Sequence, residues 1–156
     1  MPIPVPPIIG PGIHTPKVSP EVIVIDFLTT MFNGTVDGLP QARIVSELPA
    51  DLVGSVPLIR VQATAGSDVL PTLDEALVDV EAFAAGRDAT RLLAEQIRWA
   101  MRLVMPGSTV SGAEYASKAF VATVEASVPH WAPYDDTDVR RFVAMYRLSI
   151  RSVATS

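Results

Sequence analysis

The fold is decided by a strand that runs directly into a helix, in the stretch Thr72-Leu-Asp-Glu-Ala-Leu-Val-Asp-Val-Glu-Ala-Phe-Ala-Ala-Gly-Arg-Asp-Ala-Thr-Arg-Leu-Leu-Ala-Glu-Gln-Ile-Arg-Trp-Ala-Met-Arg-Leu-Val-Met105. Near its start, apolar residues alternate with Asp79 and Glu81, and a two-residue period predicts a strand with one buried face. The apolar positions are Val78, Val80, Ala82 and Ala84. Gly86 ends the strand, and Asp88 is placed to cap the helix that follows.

The helix is predicted from Asp88 to Met105, because its apolar residues recur at three- and four-residue steps. These residues are Ala89, Leu93, Ile97, Ala100 and Val104. The opposite side carries Arg91, Glu95, Arg98 and Arg102, which are spaced to pair with one another along a solvated face. Pro106 and Gly107 end the helix.

A long two-stranded hairpin follows from Ala119 to Arg151, around residues 129–138. On the first strand the predicted apolar face consists of Phe120, Ala122, Val124, Ala126 and Val128. On the return strand it consists of Phe142, Ala144, Tyr146, Leu148 and Ile150. A sheet with one apolar face needs a cover, and we expect the helix from Asp88 to Met105 to supply it.

The preceding part of the chain predicts a helix from Ser19 to about Phe32, because it opens with a hydroxyl side chain, a proline and an acid. Its β-branched run, Val22–Ile25, also fits a strand. Arg43–Leu48 and Leu58–Thr64 are strand candidates, and residues 65–68 are predicted to form a turn.

These elements predict an α+β fold with a mostly antiparallel sheet of four to five strands and two helices packed on one face. A chain of 156 residues fits one domain, which we assign to residues 19–156. Residues 1–18 are predicted to form an extended, proline-rich arm, because half of the fourteen prolines lie in the first twenty residues. The arm is apolar and has no charge before Lys17, so it fits either a floppy terminus or a segment that lies on a neighbouring subunit.

The composition narrows the class of function. The chain is 49% hydrophobic and 19% charged, with a mean hydropathy of +0.33, and this apolar surplus is typical of a protein with an interface. A net charge of −5 argues against a general nucleic-acid clamp. The chain has no cysteine, no signal-peptide pattern and no apolar run of the roughly 20 residues that cross a bilayer. We therefore expect a soluble protein without disulfides that is made in the cytoplasm.

Catalytic signals are weak. The two histidines are His14, in the arm, and His130, which precedes three acids that superficially suggest a metal site: Asp135, Asp136 and Asp138. An Asp-Asp-Thr-Asp segment before a strand is more often a solvated turn. No glycine-rich nucleotide loop and no nucleophile elbow is present. The sequence therefore predicts neither an enzyme nor a cofactor or metal site.

The charges fall into two blocks of opposite sign. Five acids and no base lie between Arg60 and Arg87, whereas Arg140–Arg151 holds four arginines and no acid. Two such strands could join neighbouring copies head to tail, or they could neutralise each other within one sheet. The candidate joining residues are Asp79, Glu81, Arg140, Arg141, Arg147 and Arg151.

Three segments resemble the tail terminator, or tail-completion, proteins of long-tailed bacteriophages. They are Leu48-Pro-Ala-Asp-Leu52, Leu77-Val-Asp-Val-Glu-Ala-Phe-Ala84 running into Ala94-Glu-Gln-Ile-Arg98, and Trp131-Ala-Pro-Tyr-Asp-Asp-Thr-Asp-Val-Arg-Arg-Phe-Val-Ala-Met-Tyr-Arg-Leu148. The resemblance covers roughly residues 40–151 and leaves the arm outside. Trp131 and Asp136, in the third segment, complete the candidate interface residues.

The resemblance implies a structural virion protein that forms a hexameric ring. Such a ring caps the tail tube, ends its growth and joins the tail to the head-side connector, or stopper, while DNA passes through its lumen without specific binding. The implied partners are further copies of the chain, the major tail-tube protein and the connector, with no membrane, and the implied location is the tail or neck of a virion assembled in the host cytoplasm. The alternatives are a head-closure or neck protein and a small metal-binding hydrolase that uses His130 and the acids after it.

Overall fold

The computed structural model describes residues 19–70, 73–112, 117–134 and 138–153. The predicted arm, His14, Asp135 and Asp136 lie outside these residues. The helices are α1 (Pro20–Met31) and α2 (Arg87–Trp99), and α2 continues into a π turn (Ala100–Val104). The strands are β1 (Arg43–Val45), β2 (Leu58–Leu70), β3 (Leu73–Ala84), β4 (Thr109–Gly112), β5 (Ser117–Ala126), β6 (His130–Trp131) and β7 (Arg140–Val153).

The strands form one mixed sheet in the order β1-β2-β3-β7-β5-β4, and β6 also pairs with β7. The pair β1–β2 is parallel and the other strand pairs are antiparallel. The α+β class is confirmed, whereas the expected four to five strands are wrong, because the described chain holds seven. β4 and β6 have four and two residues, which is too short for an alternating pattern to be recognised.

Both helices pack on the same face of the sheet and share one apolar core. α1 contributes Ile23, Val24, Phe27 and Leu28, and α2 contributes Leu93, Ala94 and Ile97. The sheet contributes the predicted alternate residues of β3 and β7, among which Tyr146 and Leu148 are fully buried. In the described part of the chain, neither helix is long and apolar enough to cross a membrane.

A second, smaller apolar cluster lies on the other face of the sheet. It is formed by Leu52, Leu58, Phe83 and Val139. Leu58 and Phe83 are partners across β2 and β3, and the ring of Tyr134 meets Phe83 edge-on at 5.4 Å between centroids. This cluster covers one end of the open face, which is the face that the helices leave uncovered. Charged residues lie on the rest of that face.

The predicted turn at residues 65–68 is wrong, because β2 continues to Leu70 and pairs with β3 along its length. Gly66 permits this pairing: a Cβ at this position would lie 2.8 Å from the carbonyl oxygen of Glu75. A glycine among small residues signals a turn in sequence, but it also allows two strands to approach closely.

The predicted alternation of β5 is broken by a bulge. Val121 pairs with Ile150 and Thr123 pairs with Ser149, so Ala122 is an extra residue in the ladder. The bulge shifts the apolar face, so that Val121 is buried in the core although the sequence placed it on the opposite side from Val124. Alternation alone cannot reveal such a change of phase.

The second helix also differs in detail from its prediction. Gly86, not Asp88, occupies the N-cap position, and the Thr90 hydroxyl donates a hydrogen bond to the Gly86 carbonyl at 2.6 Å. At the other end the Met105 amide donates to the Ala100 carbonyl, which adds a residue to the last turn. Buried side chains therefore continue at Met101 and Met105, whereas the predicted Ala89 is exposed and Val104 is half-buried.

We expect Tyr146→Phe to leave stability unchanged or to raise it by up to about 1 kcal/mol, because the buried Tyr146 hydroxyl has no hydrogen-bond partner to lose. Burial raises the pKa of this hydroxyl, so it stays neutral. Tyr146→Ala, which removes the ring, should cost about 3–5 kcal/mol. Urea unfolding of both variants measures the contrast, and a loss above about 1 kcal/mol for Tyr146→Phe would show that the hydroxyl is satisfied.

Candidate functional site

A charged cluster lies on the open face of the sheet, where β2, β3 and β7 run side by side. Glu81 is nearly buried, and it accepts a hydrogen bond from the Arg60 guanidinium of β2. On its other side, Arg141 of β7 lies 3.5 Å from the second carboxylate oxygen of Glu81. The acidic strand and the arginine strand are thus neighbours in one sheet, and Glu81 is neutralised within the chain.

Arg141 is held by three groups of its own chain. Besides Glu81, its guanidinium donates a hydrogen bond to the Pro133 carbonyl at 2.9 Å and lies 5.4 Å from the ring centroid of Tyr134. This side chain is half-buried, so replacing it would disturb the fold of the chain itself. Its proposed role in joining subunits stays a prediction, but a variant at Arg141 cannot isolate that role.

The other predicted joining residues are dispersed. Arg147 and Arg151 are exposed on β7, whereas Arg140 is half-buried and donates to the Val139 carbonyl at 3.4 Å. Trp131 lies on the helix-covered face, where its ring packs edge-on against Phe142 and under the Arg87 guanidinium. Asp136 lies outside the described residues. Among the described members of this set, the structure brings Glu81 and Arg141 into direct contact.

Asp79 occupies the open face two residues before Glu81. Desolvation by burial raises the pKa of its carboxyl, and the charge of Glu81 raises it further, while Arg60 lowers it. Glu81 takes the nearby guanidinium groups, so Asp79 ionises beside another carboxylate. Ionising Asp79 therefore costs electrostatic free energy, because alternate residues of β3 share one face of the sheet.

Sequence reasoning missed an apolar stripe on the exposed side of α2 and its π turn. The stripe consists of Leu92, Trp99 and Leu103, which are 59%, 46% and 70% exposed. Their seven- and four-residue spacing puts them on one side of the helix, between the buried face and the charged face. The spacing was visible in the sequence, but only the packing shows that these side chains face solvent.

An apolar groove of about 580 Å³ adjoins this stripe at Leu92. It lies between the start of α2, the end of β3 and the two loops that carry residues 38–40 and 56–57. Its lining is almost entirely aliphatic: Gly38, Leu39, Pro40, Val56, Pro57, Ala84, Ala85, Ala89, Leu92, Leu93 and Gln96. Gln96 closes one side by donating a hydrogen bond to the Gly38 carbonyl at 3.2 Å.

The groove and the stripe offer apolar contact and little chemistry. His130 and Asp138 are both exposed, and two of the three acids in the suspected metal site lie outside the described residues. Within the described part of the chain, no group of three or more potential metal ligands comes together. What the surface can do is bind another apolar surface.

No protein-family model matches the chain, and no curated protein matches it. Among solved structures, a chain described as "Virion of native gene transfer agent (GTA) particle" aligns with 71% of this chain and 80% of its own length, at 13% identity and a TM-score of 0.45. A similarity of this degree does not identify a function.

We expect Glu81→Gln to lower the free energy of unfolding by about 2 kcal/mol, because it leaves two half-buried guanidinium groups without their counter-charge. The matched control is Glu125→Gln on β5, whose carboxylate is exposed and should contribute less than about 0.5 kcal/mol. Urea denaturation at neutral pH measures both. Equal losses would show that the Glu81 cluster is no stronger than a surface pair.

We expect Asp79→Asn to stabilise the chain at pH 7 and to lose this effect at pH 3. The pKa of Asp79 is raised on folding, so its ionisation opposes folding once the pH passes the ordinary value of 3.8. Below that pH the carboxyl is protonated in both states and the penalty is absent. Denaturation midpoints at the two pH values provide the test, with Glu75→Gln on the same face of β3 as control, and a gain independent of pH would contradict it.

Proposed function

We propose that this chain is a structural subunit of a phage virion, which assembles into a homo-oligomeric ring at the end of the tail tube and acts as a tail terminator. The observation that carries the proposal is the exposed stripe of Leu92, Trp99 and Leu103 beside an apolar groove. Such a surface supports a function exercised through contacts between subunits.

The energetic reason lies in the exposure of the stripe. Burying a large apolar side chain contributes about 1.5–3 kcal/mol relative to leaving it in water. Three such side chains in each subunit supply a favourable core for an interface, and the exposed Arg102 and Glu95 beside them supply a polar rim. In a ring, this patch would meet a different patch of the next copy, as head-to-tail contacts that close require.

The location in the tail is supported by the sequence resemblance over residues 40–151. Two of its segments supply most of β3 and most of the arginine strand β7, which lie side by side in the sheet. A net charge of −5 also suits a ring lumen through which DNA slides, because binding to phosphates depends on basic groups. The proposed partners are the tail-tube protein and the head-side connector, and no catalysis or cofactor is part of the proposal.

Tube length provides the test of function. The purified chain is added to tail-tube protein of the same phage during polymerisation, and the tubes are measured by electron microscopy. A terminator stops growth, so we expect shorter tubes that carry a ring at one end. Unchanged tube lengths would overturn the terminator assignment and favour a head-closure or neck protein, whereas a monomer in light scattering both with and without tube protein would overturn the ring.

We expect Leu103→Asp to abolish the ring while the monomer keeps its stability to within about 0.5 kcal/mol, since this side chain is 70% exposed in the subunit. The matched control is Val128→Asp, an equally drastic change at a residue that is 63% exposed and lies in the loop between β5 and β6. Native mass spectrometry and urea unfolding report assembly and stability separately. Rings that persist in Leu103→Asp would remove the stripe from the interface.

A further inference from the structure

The apolar groove beside α2 needs an occupant of matching chemistry. Its walls are aliphatic and small, with alanines at Ala84, Ala85 and Ala89 and prolines at Pro40 and Pro57. None of the described lining residues is charged, and this favours an uncharged, apolar segment over a charged peptide. The volume of about 580 Å³ fits a few side chains of such a segment and not a whole domain.

We propose that residues 2–9 of a second copy of the chain, Pro-Ile-Pro-Val-Pro-Pro-Ile-Ile, dock in this groove. The inference rests on the proposed ring and specifies how neighbouring subunits are connected in it. The segment has no charge, and four of its eight residues are β-branched aliphatics that match the groove in polarity. The other four are prolines, which fix the backbone before binding and reduce the entropy lost on docking.

The groove also holds a donor suited to a proline-rich backbone. A polyproline II segment has no internal hydrogen bonds, so its carbonyl groups need external donors. The Gln96 side chain lines the groove and donates one amide hydrogen to the Gly38 carbonyl. A glutamine side chain has two amide hydrogens, so the second can donate to a carbonyl group of a bound segment.

The arm joins the domain at a distance from the groove of its own chain. Glu21, in the first turn of α1, accepts a hydrogen bond from the Ala63 amide at 3.0 Å, whereas the groove includes Pro57, just before β2. Six residues of β2 separate these points, which corresponds to roughly 20 Å.

The length of the arm agrees with this geometry. Eighteen residues of polyproline II span roughly 56 Å. A compact domain of this size has a radius of gyration of only about 14 Å. Eighteen residues are therefore long enough to reach the groove of an adjacent copy.

Engineered cysteines in the full chain test the proposal, since the natural sequence has none. One preparation carries Ile8→Cys and a differently tagged preparation carries Ala89→Cys, an exposed position in the groove. The two are mixed, allowed to assemble and oxidised. We expect a disulfide-linked dimer that contains both tags, with a yield about tenfold above the control, because docking raises the local concentration of the two thiols.

The control replaces Ala89→Cys by Thr123→Cys, which is exposed on the opposite face of the sheet. Light scattering of the unsubstituted chain is measured in parallel, so that ring formation is read separately from docking. A ring whose two cysteine pairs give equal yields overturns the docking and leaves the ring intact. A monomeric chain in which the double variant Ile8→Cys/Ala89→Cys forms only an intramolecular disulfide overturns both proposals.

Discussion

The pairing of β3 with β7 is the constraint on which the rest of the structure depends. The two strands pair without interruption from Leu73 with Arg151 to Ala84 with Arg140. Because side chains alternate with a period of two, this register puts the apolar residues of both strands under the helices at once. A slip of one residue would expose Tyr146 and bury Arg147. The same register brings Glu81 next to Arg141, so the packing of one face fixes the charge pairing on the other.

The long elements could be predicted from sequence because each repeats its pattern many times. In β3 and β7, apolar and polar residues alternate over about a dozen positions, and the apolar spacing from Leu93 to Ile97 indicates α2. The features that could not be predicted are single-residue events, such as the bulge at Ala122 and the extra residue in the π turn. Each shifts the phase of a pattern without altering its composition. Whether Gly66 makes a turn or a close strand contact is decided by β3, which lies later in the chain.

The candidate site was less predictable for a different reason. The sequence shows an acidic block and a basic block, but their meaning depends on which strands are neighbours, and this is a long-range property. Once β3 and β7 are adjacent, Glu81 and Arg141 are used within the subunit. The stripe of Leu92, Trp99 and Leu103 has a recognisable spacing, yet the exposure of these side chains depends on how α2 is rotated about its axis when it packs against the sheet. Local pattern identifies the residues, and tertiary packing assigns them to a surface.

For the proposed ring, apolar contact is therefore a better basis for the contact between copies than charge pairing. Charges paired inside a subunit gain little from a partner, since a new partner must compete with the existing one. Among the described residues, the apolar stripe and the groove have no such competitor, and Leu92 belongs to both. A neighbour's arm in the groove would therefore extend the same apolar surface that the ring contact is proposed to bury. Two contacts linked by one chain act at a high effective concentration, so each strengthens the other without any additional interaction. Such coupling would favour a closed ring, in which every arm and every groove is occupied, over open oligomers that leave one of each in water.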